Sequence, residues 1–195
     1  MSMIGTQFPP FEIKAVMPDG TFANVTPGEE SPGYTVVFFY PLDFTFVCPT
    51  ELVAFDKAMD EFKARNCRVF GCSVDSVHSH AAWRRTPLAE GGVGELSYPL
   101  ISDLQRDLTS ELGILNDDGV AYRASYLLDK TGTIRHMVIN DLPLGRSVDD
   151  MLRMVDALAF FEQNGEVCPA NWHKGEKGMK ATREATGKYL AKTAA

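Results

Sequence analysis

VVFFYPLDFTFVCPTE, residues 36–51, is the stretch from which the rest of the chain is read. Residues 34–40 are almost continuously apolar, β-branched or aromatic, the pattern of a central strand covered on both faces. Pro41 closes that strand, because proline cannot donate to a ladder. After Cys48 the pattern changes period. Leu52, Phe55, Met59 and Phe62 recur at helical spacing and define one apolar face of a helix running from about residue 46 or 50 to Arg65. The reading is therefore strand, loop and helix, with a cysteine in the first helical turn. A helix N-terminus carries unpaired N–H groups and a partial positive charge, which favour a thiolate. Holding a thiol mostly ionised near pH 7 takes about 3–4 kcal/mol. The helix end supplies only about 0.3–1 kcal/mol, or about 2 in partly buried geometry, so a second cation is required. Arginine suits, being always charged and a multiple donor. Arg123 and Arg146 each lie beside an expected strand or helix end, and spacing does not say which reaches the sulfur.

Outward from this unit, Pro18-Asp19-Gly20 between residues 11–16 and 22–25 reads as a β-hairpin. Residues 67–74 give a second core strand, 76–86 a helix and 98–102 a short strand. A short helix over 104–112 ends at Gly113. Residues 125–129 and 133–140 form a hairpin around Lys130-Thr131-Gly132. Ser147 caps a long covering helix whose first turn holds Asp149 and Asp150. From Glu166 the composition turns polar and basic, with a short helix expected over 182–191. We expect a domain over 1–165 and a C-terminal arm over 166–195, in an α/β arrangement around a mixed sheet.

The chain has 195 residues and a net charge of −7, which argues against sequence-independent nucleic-acid binding. No apolar run approaches the roughly 18 residues of a membrane span, and the first residues lack the basic and apolar regions of a signal peptide. A cytoplasmic protein is expected. Its four cysteines, Cys48, Cys67, Cys72 and Cys168, form no Cys-x-x-Cys pair, which removes the usual dithiol motif and the common zinc pairs.

Pro41, Thr45, Val47, Cys48, Pro49, Thr50 and Glu51 together resemble the Pro-x-x-x-Thr-x-x-Cys signature of peroxiredoxins. Ser73-Val74-Asp75-Ser76, Ala82-Trp83, Gly91-Gly92-Val93-Gly94, Arg123 and residues 140–147 resemble later segments of that family in order. Residues 166–172, Glu-Val-Cys-Pro-Ala-Asn-Trp, resemble the resolving-cysteine segment of the typical two-cysteine class. The resemblance implies a thioredoxin-like fold with an N-terminal β-hairpin and a C-terminal arm. It implies a thiol-dependent peroxidase in which Cys48 attacks hydrogen peroxide or an organic hydroperoxide and becomes a sulfenic acid. Thr45 and Arg123 would hold the peroxide oxygens, Pro41 would shield the pocket, and Glu51 and Arg146 would support Arg123. Cys168 of a second subunit would condense with the sulfenic acid to a disulfide. A thioredoxin or a flavoprotein disulfide reductase would restore the thiols. The subunits are expected to pair and to assemble as a decamer, and neither a metal nor a bound cofactor is implied. Because a sulfenic acid is reversible only if captured before further oxidation, the first helical turn would have to unwind for Cys48 to meet its partner.

Other readings compete. Cysteine is among the most buried residue types, and Cys67 and Cys72, on opposite faces of one strand, read as core. His78, His80, His136 and His173 form no evident ligand set, and Trp83 and Trp172 read as packing or interface residues. A redox-sensitive holdase chaperone is the alternative function: Cys48→Ser should abolish peroxide turnover and leave holdase activity largely intact. A thioredoxin-like reductase is disfavoured because Glu51, not cysteine, stands three residues after Cys48.

Overall fold

A computed structural model describes residues 2–193. Seven strands form one mixed sheet: β1 (Ile13–Val16), β2 (Phe22–Val25), β3 (Tyr34–Phe39), β4 (Cys67–Ser73), β5 (Leu100–Ser102), β6 (Arg123–Leu128) and β7 (Ile134–Asn140). Their spatial order is β2-β1-β5-β4-β3-β6-β7. The helices are α1 (Cys48–Lys57), α2 (Met59–Ala64), α3 (Val77–Arg85), α4 (Asp107–Glu111), α5 (Val148–Asn164) and α6 (Arg183–Thr193).

The apolar run of the opening stretch is the middle of this sheet. β3 pairs in parallel with β4 and antiparallel with β6, and all six of its residues are buried. Alternation along it feeds two cores. Val37 and Phe39 join Cys72, Ile101, Tyr126 and Leu108 on one face. Phe38 points the other way, stacking on Phe55 of α1 with centroids 4.1 Å apart. The expected N-terminal hairpin is β1–β2, spliced into the sheet by the antiparallel pairing of β1 with β5.

The helix expected as one piece to Arg65 is two. Ala58 leaves helical geometry at φ −92° and ψ 2°, and its N–H is shared between the carbonyls of Ala54 and Phe55. Phe55, Met59 and Phe62 stay buried across the break, so the apolar period runs on although the backbone ladder does not. β6 also begins earlier than expected. β7 continues to Asn140, opposite Arg123, so Arg123 lies inside the strand rather than before it.

Two compact units divide the chain, Met1–Val148 and Asp149–Ala195, and α5 groups with the C-terminal segment. Within the second unit Trp172, 3% exposed, packs on Phe160 at 4.8 Å, and a bridge joins Val167 to Met179. Among the described residues, no helix is long and apolar enough to cross a membrane.

Candidate active site

The chain leaves β3 at Phe39 and reaches α1 through a loop over residues 40–47. Pro41 is buried, and Phe44 adopts a left-handed backbone at φ 54°, an unusual cost for a bulky residue. Tyr40 and Asp43 hold this loop from beneath. The Tyr40 hydroxyl donates to Asp43 Oδ1 at 2.9 Å, and the Ser79 hydroxyl donates to Oδ2 at 2.8 Å. His80 Nδ1 lies 2.8 Å from the same Oδ2, and the Asp43 backbone N–H donates to Asp75 Oδ2 at 2.9 Å. Burial pushes the Tyr40 phenol well above its ordinary value, and burial together with the nearby Asp43 carboxylate raises Asp75. Spacing gave no sign of this polar group, since Asp43 and His80 are 37 residues apart.

Cys48 is the first residue of α1 and is fully buried. Arg123 Nη1 donates to its sulfur at 3.4 Å, so of the two candidate arginines Arg123 is the one that reaches it. The same nitrogen donates to Glu51 Oε2 at 2.8 Å, and Arg123 Nε donates to the Leu142 carbonyl at 2.5 Å. Arg146 grips Glu51 from the other side. Its backbone N–H and Nε donate to Oε1 at 2.9 and 2.8 Å, and Nη2 donates to Oε2 at 2.8 Å. Its Nη1 donates to the carbonyls of Phe39 and Ala124, both at 2.7 Å, tying the group to the ends of β3 and β6. Glu51 and Arg123 are each 4% exposed. Two guanidinium groups against one carboxylate leave one positive charge among buried side chains. The Cys48 sulfur lies against that excess of positive charge, with Arg123 Nη1 donating to it.

Thr45 lies on the loop three residues before Cys48, half-buried, and its hydroxyl donates to the Leu42 carbonyl at 2.9 Å. That leaves its lone pairs available to accept from a bound molecule. Pro41, Thr45, Cys48, Glu51, Arg123 and Arg146 therefore all belong to the first unit. Cys168 belongs to the second, where its thiol donates to the Ala157 carbonyl at 3.6 Å. Partial burial raises it from its ordinary value, and Arg153 pulls the other way. All four cysteines are free. Burial pushes Cys67 up to about 12 and Cys72 well above its ordinary value, so both stay protonated and inert. Among the described residues no cluster of His, Cys, Asp and Glu is placed to hold a metal ion.

The model of the AhpC/TSA family matches residues 4–137, and that of the C-terminal domain of 1-Cys peroxiredoxin matches 157–192, a span that here includes Cys168. The chain is 47% identical over 190 residues to peroxiredoxin-1 of Gekko japonicus, covering 97% of this chain and 96% of the relative. It is 50% identical over 155 residues to alkyl hydroperoxide reductase C of Helicobacter pylori, covering 80% and 78%. The structure of reduced 2-Cys peroxiredoxin from Plasmodium vivax superposes with a TM-score of 0.95 at 44% identity, covering 98% of this chain and all of that one.

Proposed function

As this chain belongs to the AhpC/TSA family of peroxiredoxins, thiol-dependent peroxidases of thioredoxin-like fold, we propose that Cys48 is its peroxide-reducing thiolate and Cys168 the thiol that resolves it. The observation that carries this reading is the buried group Cys48, Arg123, Glu51 and Arg146, which is neutral when the sulfur is negative. The Cys48 sulfur attacks one peroxide oxygen, an S–O bond forms, the O–O bond breaks, and the leaving oxygen takes a proton to depart as water or an alcohol. Arg123 donates to the oxygens as charge builds on them, and Thr45 accepts from the peroxide O–H. Pro41 keeps water from the sulfur. Glu51 and Arg146 fix the Arg123 fork.

The Cys168 thiolate, from the arm over 166–195 of a second subunit, then attacks the Cys48 sulfenic sulfur. A disulfide forms and the oxygen leaves as water after taking a proton. A dithiol reductant of the thioredoxin class, or a flavoprotein disulfide reductase, returns both thiols. Family members act on peroxides with such reductants and form oligomers. For this chain a dimer follows from the pairing of cysteines, and a decamer is the assembly proposed. Cytoplasmic residence, where a reductase keeps thiols reduced, belongs to the same reading.

The test is stopped-flow peroxide reduction with non-reducing electrophoresis. Wild type should form a dimer-sized band on oxidation. Cys48→Ser should lose peroxide reduction, and Cys168→Ser should react once and stop. A monomer band that persists through many turnovers would refute the two-chain scheme.

A further inference from the structure

A thiol with no exposed surface cannot bond to a second chain until the backbone around it moves, so the question is where in α1 that movement stops. The bonds differ sharply along the helix. The backbone of the first turn closes on itself, the N–H groups of Thr50 and Glu51 and the Thr50 hydroxyl all donating to the Val47 carbonyl, while the Glu51 side chain at its end is held by Arg123 and Arg146. Beyond it, α1 is tied to a different part of the fold. The Tyr98 hydroxyl donates to the Leu52 carbonyl at 2.8 Å inside the core, and the Ser97 N–H donates to Asp56 Oδ1 at 2.6 Å.

The segment that makes these ties is itself fixed. The Tyr98 ring is 1% exposed and meets Phe38 edge-on at 5.7 Å. The next carbonyl, of Pro99, accepts from the Gly71 N–H of β4. Upstream, Arg84 Nη2 donates to the Leu96 carbonyl at 3.1 Å and Trp83 Nε1 to the Gly91 carbonyl at 2.8 Å. A Cβ at Gly92 would stand 1.9 Å from the Thr86 carbonyl oxygen, so this loop packs directly on the end of α3. Burial, with Asp56 second, keeps the Tyr98 phenol well above its ordinary value, so it remains a donor at any working pH.

We infer that Tyr98 and Asp56, behind the Glu51 carboxylate, are the stop for unwinding of α1: residues 48–50 are released when Cys48 leaves its pocket, and the helix from Glu51 onward stays seated on Arg123, Arg146 and residues 97–98. Tyr98 is thus a positioning residue. It rests on the proposed two-cysteine reading for its purpose, because the reach of the released turn sets how often Cys48 meets Cys168 before more peroxide arrives. Removing the stop lets unwinding run into the second turn and raises the population with Cys48 exposed.

The experiment compares wild type with Tyr98→Phe, which keeps the ring and loses the hydroxyl, and with Asp56→Ala, a half-buried position where alanine keeps helix propensity high. Amide exchange of the reduced protein, with no peroxide present, should quicken about five-fold over residues 52–57 in Tyr98→Phe, the ratio corresponding to one lost hydrogen bond. Asp56→Ala should shift it the same way. During turnover, Cys48 sulfinate formed per cycle should fall by a similar factor, while the rate of the first peroxide reaction stays within two-fold. Unchanged exchange over 52–57 in both variants overturns the inference, whatever the enzyme's activity. Faster exchange with unchanged sulfinate per cycle overturns its role in resolution. Failure of the wild type to consume peroxide would overturn the proposed function instead, and is read in a separate arm.

Discussion

Glu51 accepts four hydrogen bonds from two arginines, and that makes it the residue on which the reactive group turns. Glu51→Gln keeps the volume, removes the charge, and sets an NH2 group against guanidinium donors. Breaking a buried pair in this way should cost about 3–5 kcal/mol, read as a lower midpoint in urea. Arg123→Lys removes the fork that reaches sulfur and carboxylate from one nitrogen. It should lower the rate constant for peroxide by about 10²–10³, the usual loss for a donor aimed at developing charge, with stopped-flow fluorescence as the measurement. Helical spacing put Glu51 on the face of Cys48, and composition supplied two arginines, but only folding decides that Arg123 meets the sulfur while Arg146 holds the carboxylate. Two of the acceptors that orient Arg146 are backbone carbonyls, of Phe39 and Ala124. Backbone acceptors are present at every residue, so no pattern of residue types marks them.

Among the elements, β3 and the hairpin were legible because their signals are local: an unbroken apolar run, and Asp-Gly between two short strands. The break at Ala58 was not, because Leu52, Phe55, Met59 and Phe62 keep helical period across it. β6 starts two residues before the expected strand for a related reason, since strand length is set by the partner and β7 extends to Asn140. The second unit carries a prediction of its own. The Cys168 thiol is raised by partial burial and lowered by Arg153. A raised thiol is less ionised at pH 7, so the rate of disulfide formation should climb as pH rises through the alkaline thiol range. Arg153→Gln removes the lowering charge and should push the thiol further up. Capture at pH 7 should then slow about two- to three-fold, and the profile should move to higher pH, as quench-flow with thiol trapping would record.

For the whole molecule, the proposed two-cysteine scheme sets capture of the Cys48 sulfenic acid against its further oxidation. The loop Gly91-Gly92-Val93-Gly94 and the pair Tyr189-Leu190 are near matches to the Gly-Gly-Leu-Gly and Tyr-Phe elements that the resemblance associates with sensitive peroxiredoxins. Cys48 sulfinate should therefore appear within a millimolar peroxide titration followed by mass spectrometry, and none at millimolar peroxide during turnover would contradict it. The pairing of the strands bears on the protein's history in the cell as well as on its chemistry. β3 joins β6, and Glu51 waits for two arginines that lie 72 and 95 residues downstream. Contacts so distant in sequence form late. A chain still on the ribosome, with Cys48 outside the exit tunnel and Arg146 not yet made, carries an ordinary thiol and a carboxylate without its cations. On the proposed role of Cys48, peroxide reactivity would then be switched on by completion of the fold, and a nascent chain would be spared oxidation at the cysteine it later uses.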